Sequence, residues 1–247
     1  MTSPFKDIEL LEKEVTDFIN KYKVTVVSHS KRISNFFEMS CFNYIVRFYE
    51  LQGYNVIIKS LQSGQYRYKC STSGIQSNFS HFEVDIQFEG ECYKFEIHHN
   101  LAVQSSHDSS IFTTPDICVI KTATLKSTID YYDAKTTFSF VNNVDLITFC
   151  EVKHFTPYPE LLFNFMGVIN ELKKEYIINQ GLSQKTNHIA PSLMISGKPN
   201  KQTLRIKKSL ESRYCINIIY DLFYTGTITF SNYYLNQLRI TGKNPCN

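Results

Sequence analysis

Apolar residues recur at helical spacing at the start of the chain. Those between positions 8 and 19 are mostly three or four residues apart, and Ser3 followed by Pro4 is typical of a helix start. This pattern predicts a first helix that runs to about Lys21. A short apolar stretch at 24–27 then predicts a strand.

A second apolar stripe runs from Asn35 to Gly53 and predicts a helix with glutamates on different faces. Glu38 flanks the apolar face, whereas Glu50 lies almost opposite it. Glu38 also follows Asn35 by three residues, the spacing of a capping box, and Gly53 stands where a terminating glycine is common. Glu38 therefore has two interpretations, a helix cap and a side chain available at the edge of the buried face.

After Gly53 the pattern changes to the alternation that is typical of strands. It predicts a hairpin from 55–61 and 65–70, and a second from 82–88 and 93–97 that turns at Glu89 and Gly90. Residues 104–110 are polar and predict a loop. Continuous apolar runs at 117–120 and 146–152 predict buried strands, with a strand-like stretch at 137–141 between them.

Helices and strands alternate in the second half of the chain. Helical spacing covers 160–176 and 201–213, and short apolar runs stand at 192–196 and 215–220. This alternation predicts a partly parallel sheet with helices packed on it. We therefore expect an α/β protein in which 1–33 form an N-terminal helix with its connector. Residues 34–247 would form one domain with a C-terminal extension.

The composition is that of a folded, globular protein. Apolar residues make up 43% of the 247 residues and charged residues 20%, which excludes a disordered or fibrous chain. No apolar run reaches about eighteen residues, and the first residues lack the basic and then apolar pattern of a secretory signal, so we expect neither a membrane span nor a signal peptide. The seven cysteines are scattered singly, which argues against a disulfide framework. We expect a cytoplasmic protein with no membrane partner, whose net charge of +3 tolerates a polyanionic one.

Two of the apolar strands carry charged residues at their ends. Asp116 precedes the run 117–120, and the run 146–152 includes Glu151 and is followed by Lys153. Because side chains alternate along a strand, Glu151 and Lys153 share a face. If the two strands are neighbours, Asp116 joins them at one end of the sheet. Two carboxylates suit Mg²⁺, and a lysine ammonium orients water and offsets charge at a phosphorus, so the set suits phosphodiester hydrolysis.

This arrangement resembles the PD-(D/E)xK nuclease superfamily, which has the restriction-endonuclease-like fold. The match consists of Pro115 and Asp116, and of the tripeptide Glu151-Val152-Lys153 after an interval of 34 residues. The order of the surrounding elements is also similar, since a helix with an acidic residue precedes the strands. Helix, strand, helix and strand follow the motif. The resemblance covers roughly residues 34–220, although the motif itself is only five residues.

The resemblance implies a mixed central sheet flanked by helices and a Mg²⁺-dependent endonuclease that acts on DNA, with Mn²⁺ as a substitute ion. Asp116 and Glu151 would then be metal ligands, with the Val152 carbonyl as a third contact. Lys153 would position the attacking water. Relatives of this fold often work as homodimers or as components of larger nucleic-acid-processing assemblies.

Two further glutamates are candidates for the same site. In some branches of the superfamily a glutamate of the first core helix joins the metal site, and Glu38 has that place. Glu96 either points into the site from an adjacent strand or faces outward. A rival set also exists, in which Asp85, Glu96 and His98 flank a tight hairpin. We prefer the later pair of strands because Lys153 completes it.

Histidines offer weaker candidates. His98, His99, His107 and Asp108 carry metal-binding groups, but their spacing fits no familiar ligand pattern, and we expect solvent-exposed loop histidines. His154 directly follows the proposed site residues. It either contacts phosphate at the rim of the site or is simply exposed.

Basic residues cluster in the predicted helix 201–213. A face with Lys201, Arg205 and Lys208 either lies against a nucleic-acid backbone or is an ordinary solvated helix face. The segment 66–69 alternates tyrosines with basic residues. That alternation is compatible with base stacking and equally with a half-buried hairpin.

Two other functional classes stay open at the level of the sequence. One is a catalytically silent nuclease-fold module that binds nucleic acid or a protein partner. The other is a structural protein in which Asp116, Glu151 and Lys153 lie far apart. With only 9 glycines and no glycine-rich phosphate loop, the chain is not a P-loop NTPase.

Overall fold

A mixed seven-stranded sheet with helices on its two faces forms the centre of the protein. The computed structural model describes residues 8–22, 25–27, 33–132, 135–178, 184–222 and 232–242, so the predicted helix start at Ser3 and Pro4 lies outside it. No helix in these ranges has the length and apolarity needed to cross a membrane. The helices are α1 (Ile8–Tyr22), α2 (Ile33–Leu51), α3 (Pro159–Lys173), α4 (Glu175–Ile178), α5 (Lys201–Arg213) and α6 (Asn232–Leu235).

The strands fall into one main sheet and three smaller ones. Those of the main sheet are β2 (Asn55–Lys59), β4 (His81–Phe88), β5 (Glu91–His99), β8 (Ile117–Lys121), β11 (Leu146–Lys153), β13 (Ser192–Ile195) and β14 (Asn217–Ile219). The remaining strands are β1 (Thr25–Val27), β3 (Gln65–Arg67), β6 (Ala102–Gln104), β7 (Phe112–Thr113), β9 (Lys126–Tyr132), β10 (Thr136–Val141), β12 (His188–Ile189) and β15 (Ile240–Thr241).

The main sheet has the order β14-β13-β11-β8-β5-β4-β2. The strands from β2 to β11 pair antiparallel, whereas β11, β13 and β14 are parallel to one another. The parallel part coincides with the helix–strand alternation in the second half of the chain. The α/β class and the partly parallel sheet predicted from the sequence are therefore confirmed.

Two apolar clusters cover the two faces of the sheet. Phe42 and Phe48 of α2 belong to the cluster that contains Val119, whereas Phe165 of α3 belongs to the cluster that contains Cys118. Successive residues of β8 thus enter different clusters, as expected for a strand buried on both faces. This burial explains why β8 and β11 are continuously apolar in the sequence.

The second helix does not begin where the sequence predicts. α2 starts two residues before Asn35, so Asn35 lies within the first turn. The capping-box interpretation of Glu38 is therefore wrong. The predicted end is confirmed, since Gly53 has φ +84 and its amide bonds to the Glu50 carbonyl.

One predicted hairpin forms and the other does not. β4 and β5 pair around Glu89 and Gly90, which both have positive φ, as predicted. By contrast, β2 pairs with β4, and β3 pairs with β1, so 55–61 and 65–70 are not hairpin partners. Left-handed φ values at Ser60 and Ser63 redirect the chain between these two strands.

The segment 66–69 lies inside the protein. Tyr66, Tyr68 and Lys69 are at most 4% exposed, and the two tyrosines belong to the same apolar cluster as α2. The base-stacking interpretation of this segment is therefore wrong. Its alternation reflects packing beneath α2.

The described cysteines include thiols and one cysteine in a disulfide bond. Cys118 and Cys150 are buried thiols of β8 and β11 that pack as small apolar side chains. Cys41, Cys70 and Cys92 are also outside any disulfide bond. Cys215 is disulfide-bonded.

Candidate active site at the ends of β8 and β11

Asp116, Glu151 and Lys153 meet at one end of the main sheet. β8 and β11 are antiparallel neighbours, and Ile117 at the start of β8 pairs with Cys150 near the end of β11. Antiparallel pairing brings the start of one strand to the end of the other. The three charged residues are therefore brought together as the sequence predicts for neighbouring strands.

Direct contacts join the members of this group. The Lys153 ammonium donates to Glu151 Oε2 at 2.7 Å and to Asp116 Oδ2 at 3.1 Å. The Val152 amide donates to the same Asp116 oxygen at 2.6 Å. The N–H and C=O of one residue in a strand point to the same side, so the Val152 carbonyl also faces β8. A carbonyl on that side is on the same side as Asp116, which is what its expected role as a third metal contact requires.

Glu38 of α2 contributes a third carboxylate to the group. Burial raises the pKa of Glu38 to about 7, and the negative charge of Asp116 adds to this effect. Lys153 and a hydrogen bond from Asn100 act in the opposite direction. Glu38 therefore interacts electrostatically with Asp116 and with Lys153, the first and last charged residues of the motif.

Burial and neighbouring negative charge together set the pKa values of the group. Burial and the neighbouring Asp116 raise the pKa of Glu151 to about 7. Burial alone would lower the pKa of Lys153, but Asp116 and Glu151 outweigh it and hold that pKa above its ordinary value. The ammonium is therefore charged at neutral pH, and a single cation faces three carboxyl groups.

Two residues beside Glu38 were not singled out for this site from the sequence. The Asn100 amide donates at 2.9 Å to the backbone carbonyl of Asp116, while the Asn100 side chain bonds to Glu38. His99 Nε2 lies 3.6 Å from Glu38 Oε2. Burial, with a smaller effect of Lys69, lowers the pKa of His99 to about 3, so this ring is neutral.

The expectation of exposed loop histidines is wrong for two of the three. His98 and His99 lie on β5 and are each 1% exposed, whereas His107 is an exposed loop residue that contacts the Asn170 carbonyl. The alternation that predicts a strand at 93–97 continues to His99. A predicted strand extended by two residues, from 97 to 99, would have placed His98 and His99 on β5 and not in a loop.

Glu96 has partners other than the Asp116 group. Its Oε2 lies 2.8 Å from His98 Nε2, and its Oε1 accepts from the Ala123 amide at 3.0 Å. In the rival set, Asp85 accepts a hydrogen bond from Asn55 on β2. The structure thus brings Glu38 to the candidate active site and directs Glu96 to a different group.

The residues proposed to contact nucleic acid lie on the outside of the protein. His154 is exposed, and burial together with Lys153 lowers its pKa, while Asp116 opposes that shift. β13 runs parallel to β11, so the segment that leads into α5 begins at the same edge of the sheet as Lys153. Lys201, Arg205 and Lys208 are exposed on α5.

The segment that follows Lys153 packs closely against the backbone of Ser196 and Gly197. The Ser196 amide donates to the Lys153 carbonyl at 3.1 Å. A Cβ atom at Gly197 would stand 2.4 Å from the Phe155 carbonyl oxygen and 2.5 Å from Thr156 Cα. Only glycine fits between these two segments without moving them.

Comparisons with family models, curated proteins and solved structures give no match to this chain. The functional argument therefore depends on the residues of the site. Their arrangement offers oxygen ligands for a hard cation and one ammonium group that is held beside them.

Proposed function

We propose that this protein is a Mg²⁺-dependent nuclease with a restriction-endonuclease-like fold that hydrolyses phosphodiester bonds, with DNA as its substrate. The observation that carries the proposal is the convergence of Asp116, Glu151 and Lys153. These residues are far apart in the chain, and antiparallel pairing of β8 with β11 brings them together.

The order of elements supports the fold part of the proposal. α2 precedes a run of antiparallel strands, and α3, β13, α5 and β14 follow the strand that carries the ExK motif. The sheet is mixed, with its parallel part on the side of β13 and β14. This is the order that the resemblance implies for the region 34–220.

The donor set fits Mg²⁺. Asp116, Glu151 and the Val152 carbonyl would hold the ion, with Glu38 as an additional carboxylate. Burial, with the negative charge of Asp116, raises the pKa values of Glu38 and Glu151 although Lys153 lowers them, and a bound cation would favour both charged carboxylates. When bound, the ion would supply Lewis-acid activation of the phosphate and stabilise charge on the leaving oxygen.

Lys153 acts as a cation and not as a base in this proposal. Its raised pKa keeps the ammonium protonated at neutral pH, so it donates hydrogen bonds. Held against Asp116 and Glu151, it is placed to orient the attacking water and to offset the charge that develops on phosphorus.

The surface around the site supports a nucleic-acid substrate. His154 extends from the end of β11 into solvent, and Lys201, Arg205 and Lys208 project from the helix that begins at the same edge. Positive charge at the three α5 residues would neutralise backbone phosphates, whereas the His154 ring, whose pKa is lowered, would contact phosphate as a neutral hydrogen-bond donor. The first turns of α3 and α5 also favour anions there, because both helices begin just after strands that end at this edge.

The proposal is tested by a cleavage assay with a matched control. Purified protein, Glu151→Gln and Asp145→Asn are incubated with plasmid, linear, single-stranded and branched DNA and with RNA, in Mg²⁺, Mn²⁺ or EDTA. Asp145 lies at the opposite end of β11 and, like Glu151, pairs with a lysine, at 3.3 Å. The Asp145 variant therefore controls for loss of a half-buried acid.

Metal-dependent cleavage that is lost in Glu151→Gln and kept in Asp145→Asn supports the proposal. Equal cleavage by all three proteins would assign the activity to a contaminant or to another site. Absence of cleavage on every substrate, with DNA binding intact, would favour the silent nuclease-fold module instead.

A further inference from the structure

A second cluster of ionisable side chains lies on β4 and β5 and consists of His81, Glu96 and His98. Glu96 and His98 alternate on β5 and share a face, and His81 stands opposite His98, one residue beyond the pair Phe82–Ile97. The two imidazole rings stack with their centroids 4.5 Å apart. One nitrogen or oxygen from each of the three side chains lies within 4.8 Å of the others.

Each carboxylate oxygen of Glu96 has its own contact. Oε1 accepts from the Ala123 amide at 3.0 Å, and Oε2 lies 2.8 Å from His98 Nε2. Ala123 has φ +61, a strained conformation for a residue with a Cβ. The turn after β8 thus fixes one oxygen and leaves the other directed at His98.

Both histidines also have a second contact. The His81 ring bonds to the backbone of Phe79, and His98 Nδ1 lies 3.3 Å from the Gln76 side-chain amide. In metal sites the other ring nitrogen of a ligating histidine donates to an acceptor, which orients the ring. His98 is 1% exposed, whereas His81 is only partly buried, so water reaches the cluster from the His81 side.

We propose that His81, Glu96 and His98 bind a Zn²⁺ ion, with water as its fourth ligand. Two imidazoles and one carboxylate are a donor set that suits zinc. The ligands proposed at the candidate active site are all oxygen atoms, which suit Mg²⁺. The two sites thus differ in chemistry, and the zinc site does not depend on nuclease activity.

Zinc on His98 Nε2 requires the ring proton on Nδ1. The Gln76 amide accepts that proton when it turns its oxygen toward the ring, and this turn gives up the present bond from Gln76 Nε2 to the His99 carbonyl at 3.3 Å. Lys69, which now donates to the Gln76 oxygen at 2.9 Å, keeps the Asn100 carbonyl at 2.8 Å as an acceptor. The bound ion would cross-link β4 and β5 and, through Glu96, the turn at Ala123.

The test measures zinc binding by the full chain. The parent protein carries Glu151→Gln and Cys92→Ser. These substitutions remove an acid of the candidate active site and an exposed thiol, either of which could bind zinc outside the cluster. Zn²⁺ is titrated against a chromophoric chelator, and Co²⁺ absorption reports the geometry. We expect one equivalent of tightly bound zinc, affinity lower by at least about 100-fold in His81→Gln and in Glu96→Gln, and no change in His107→Gln.

These two variants are chosen because both should fold. His81 is partly exposed, and a glutamine at position 96 keeps an acceptor for the Ala123 amide. Thermal unfolding in EDTA checks that each variant is folded. The proposal is overturned if the parent binds no zinc, or if both variants bind it as tightly as the parent; the cluster is then only a hydrogen-bonded group.

Discussion

The Val152 amide donates a hydrogen bond of 2.6 Å to the Asp116 carboxylate. The middle residue of the ExK motif is thereby tied to the acid that precedes β8. Asp116 thus satisfies a buried backbone donor in addition to carrying charge for the candidate site. The hydrogen bond to the Val152 amide and the negative charge can be tested separately by replacing Asp116 with uncharged side chains of similar size.

Asp116→Asn and Asp116→Leu should both abolish cleavage but differ in stability. Asparagine keeps an oxygen for the Val152 amide, whereas leucine leaves that buried donor unsatisfied, at a cost of about 1–3 kcal/mol. Urea denaturation in EDTA measures the difference. Since neither side chain is charged, repulsion from Glu38 and Glu151 is removed equally in both. Equal stabilities would show that the hydrogen bond contributes nothing.

Glu38→Gln should lower cleavage by about 10- to 100-fold while the protein stays folded. The carboxylate of Glu38 interacts with Asp116 and Lys153 across the site. Glu50→Gln is the control on the same helix, since Glu50 instead contacts Lys21 and Tyr22. Steady-state cleavage of one substrate compares the three proteins, and equal losses in both variants would remove Glu38 from the site.

Glu151→Gln should stabilise the metal-free protein at pH 8 by about 1–3 kcal/mol. The raised pKa means that the folded state disfavours the carboxylate, and glutamine removes that charge. Chemical denaturation in EDTA gives the free energy of unfolding. The exposed Glu12→Gln on α1 should change it by no more than about 0.5 kcal/mol. A less stable Glu151→Gln protein would contradict the prediction.

His188 should make the protein less stable as the pH falls below about 6.5. Burial lowers its pKa to about 3, while the unfolded chain has the ordinary value of 6.5. Between these values the unfolded state binds a proton that the folded state does not. Stability is therefore complete above pH 6.5 and is lost toward pH 3, by up to about 1.4 kcal/mol per pH unit.

The variant His188→Gln tests this dependence. Its loss of stability between pH 7.5 and pH 5 should be smaller than that of the parent by about 1–2 kcal/mol. Urea unfolding at the two pH values gives both differences. His107→Gln, at an exposed loop position, should follow the parent. Identical pH dependence in all three proteins would mean that His188 is not responsible.

Removal of the basic face of α5 should weaken DNA binding in a salt-dependent way. The triple alanine variant of Lys201, Arg205 and Lys208 should reduce the slope of log affinity against log salt by about 2–3. Binding is measured in a Glu151→Gln background to prevent cleavage. The control removes three lysines located elsewhere, namely Lys13, Lys94 and Lys126. The same slope change in both would indicate only a net-charge effect.

The convergence of the candidate site could be predicted because it follows from local rules. Alternation places Glu151 and Lys153 on one face, and Asp116 joins them as soon as the two continuously apolar strands are neighbours. The partners of Glu96 could not be predicted in this way. They depend on a left-handed turn at Ala123, which alanine rarely adopts and which lies 27 residues further along the chain.

The start of α2 shows how a local signal is overridden. Asn35 and Glu38 have the spacing of a capping box, yet the helix begins earlier and Glu38 turns to the candidate site. A capping box is worth only about 1 kcal/mol, and burial of the apolar face of α2 outweighs it. Glu38 is therefore not a helix cap, and the reason is the packing of α2, which the sequence pattern does not reveal.

Gly197 has no chemistry of its own, yet it decides where Lys153 can be. Any side chain at this position would push on the backbone of Phe155 and Thr156, which are two and three residues beyond the lysine. In a saturation mutagenesis scan scored by cleavage, position 197 would therefore be as intolerant as the charged positions. It also gives protein engineers a way to displace the lysine while leaving every ionisable group unchanged.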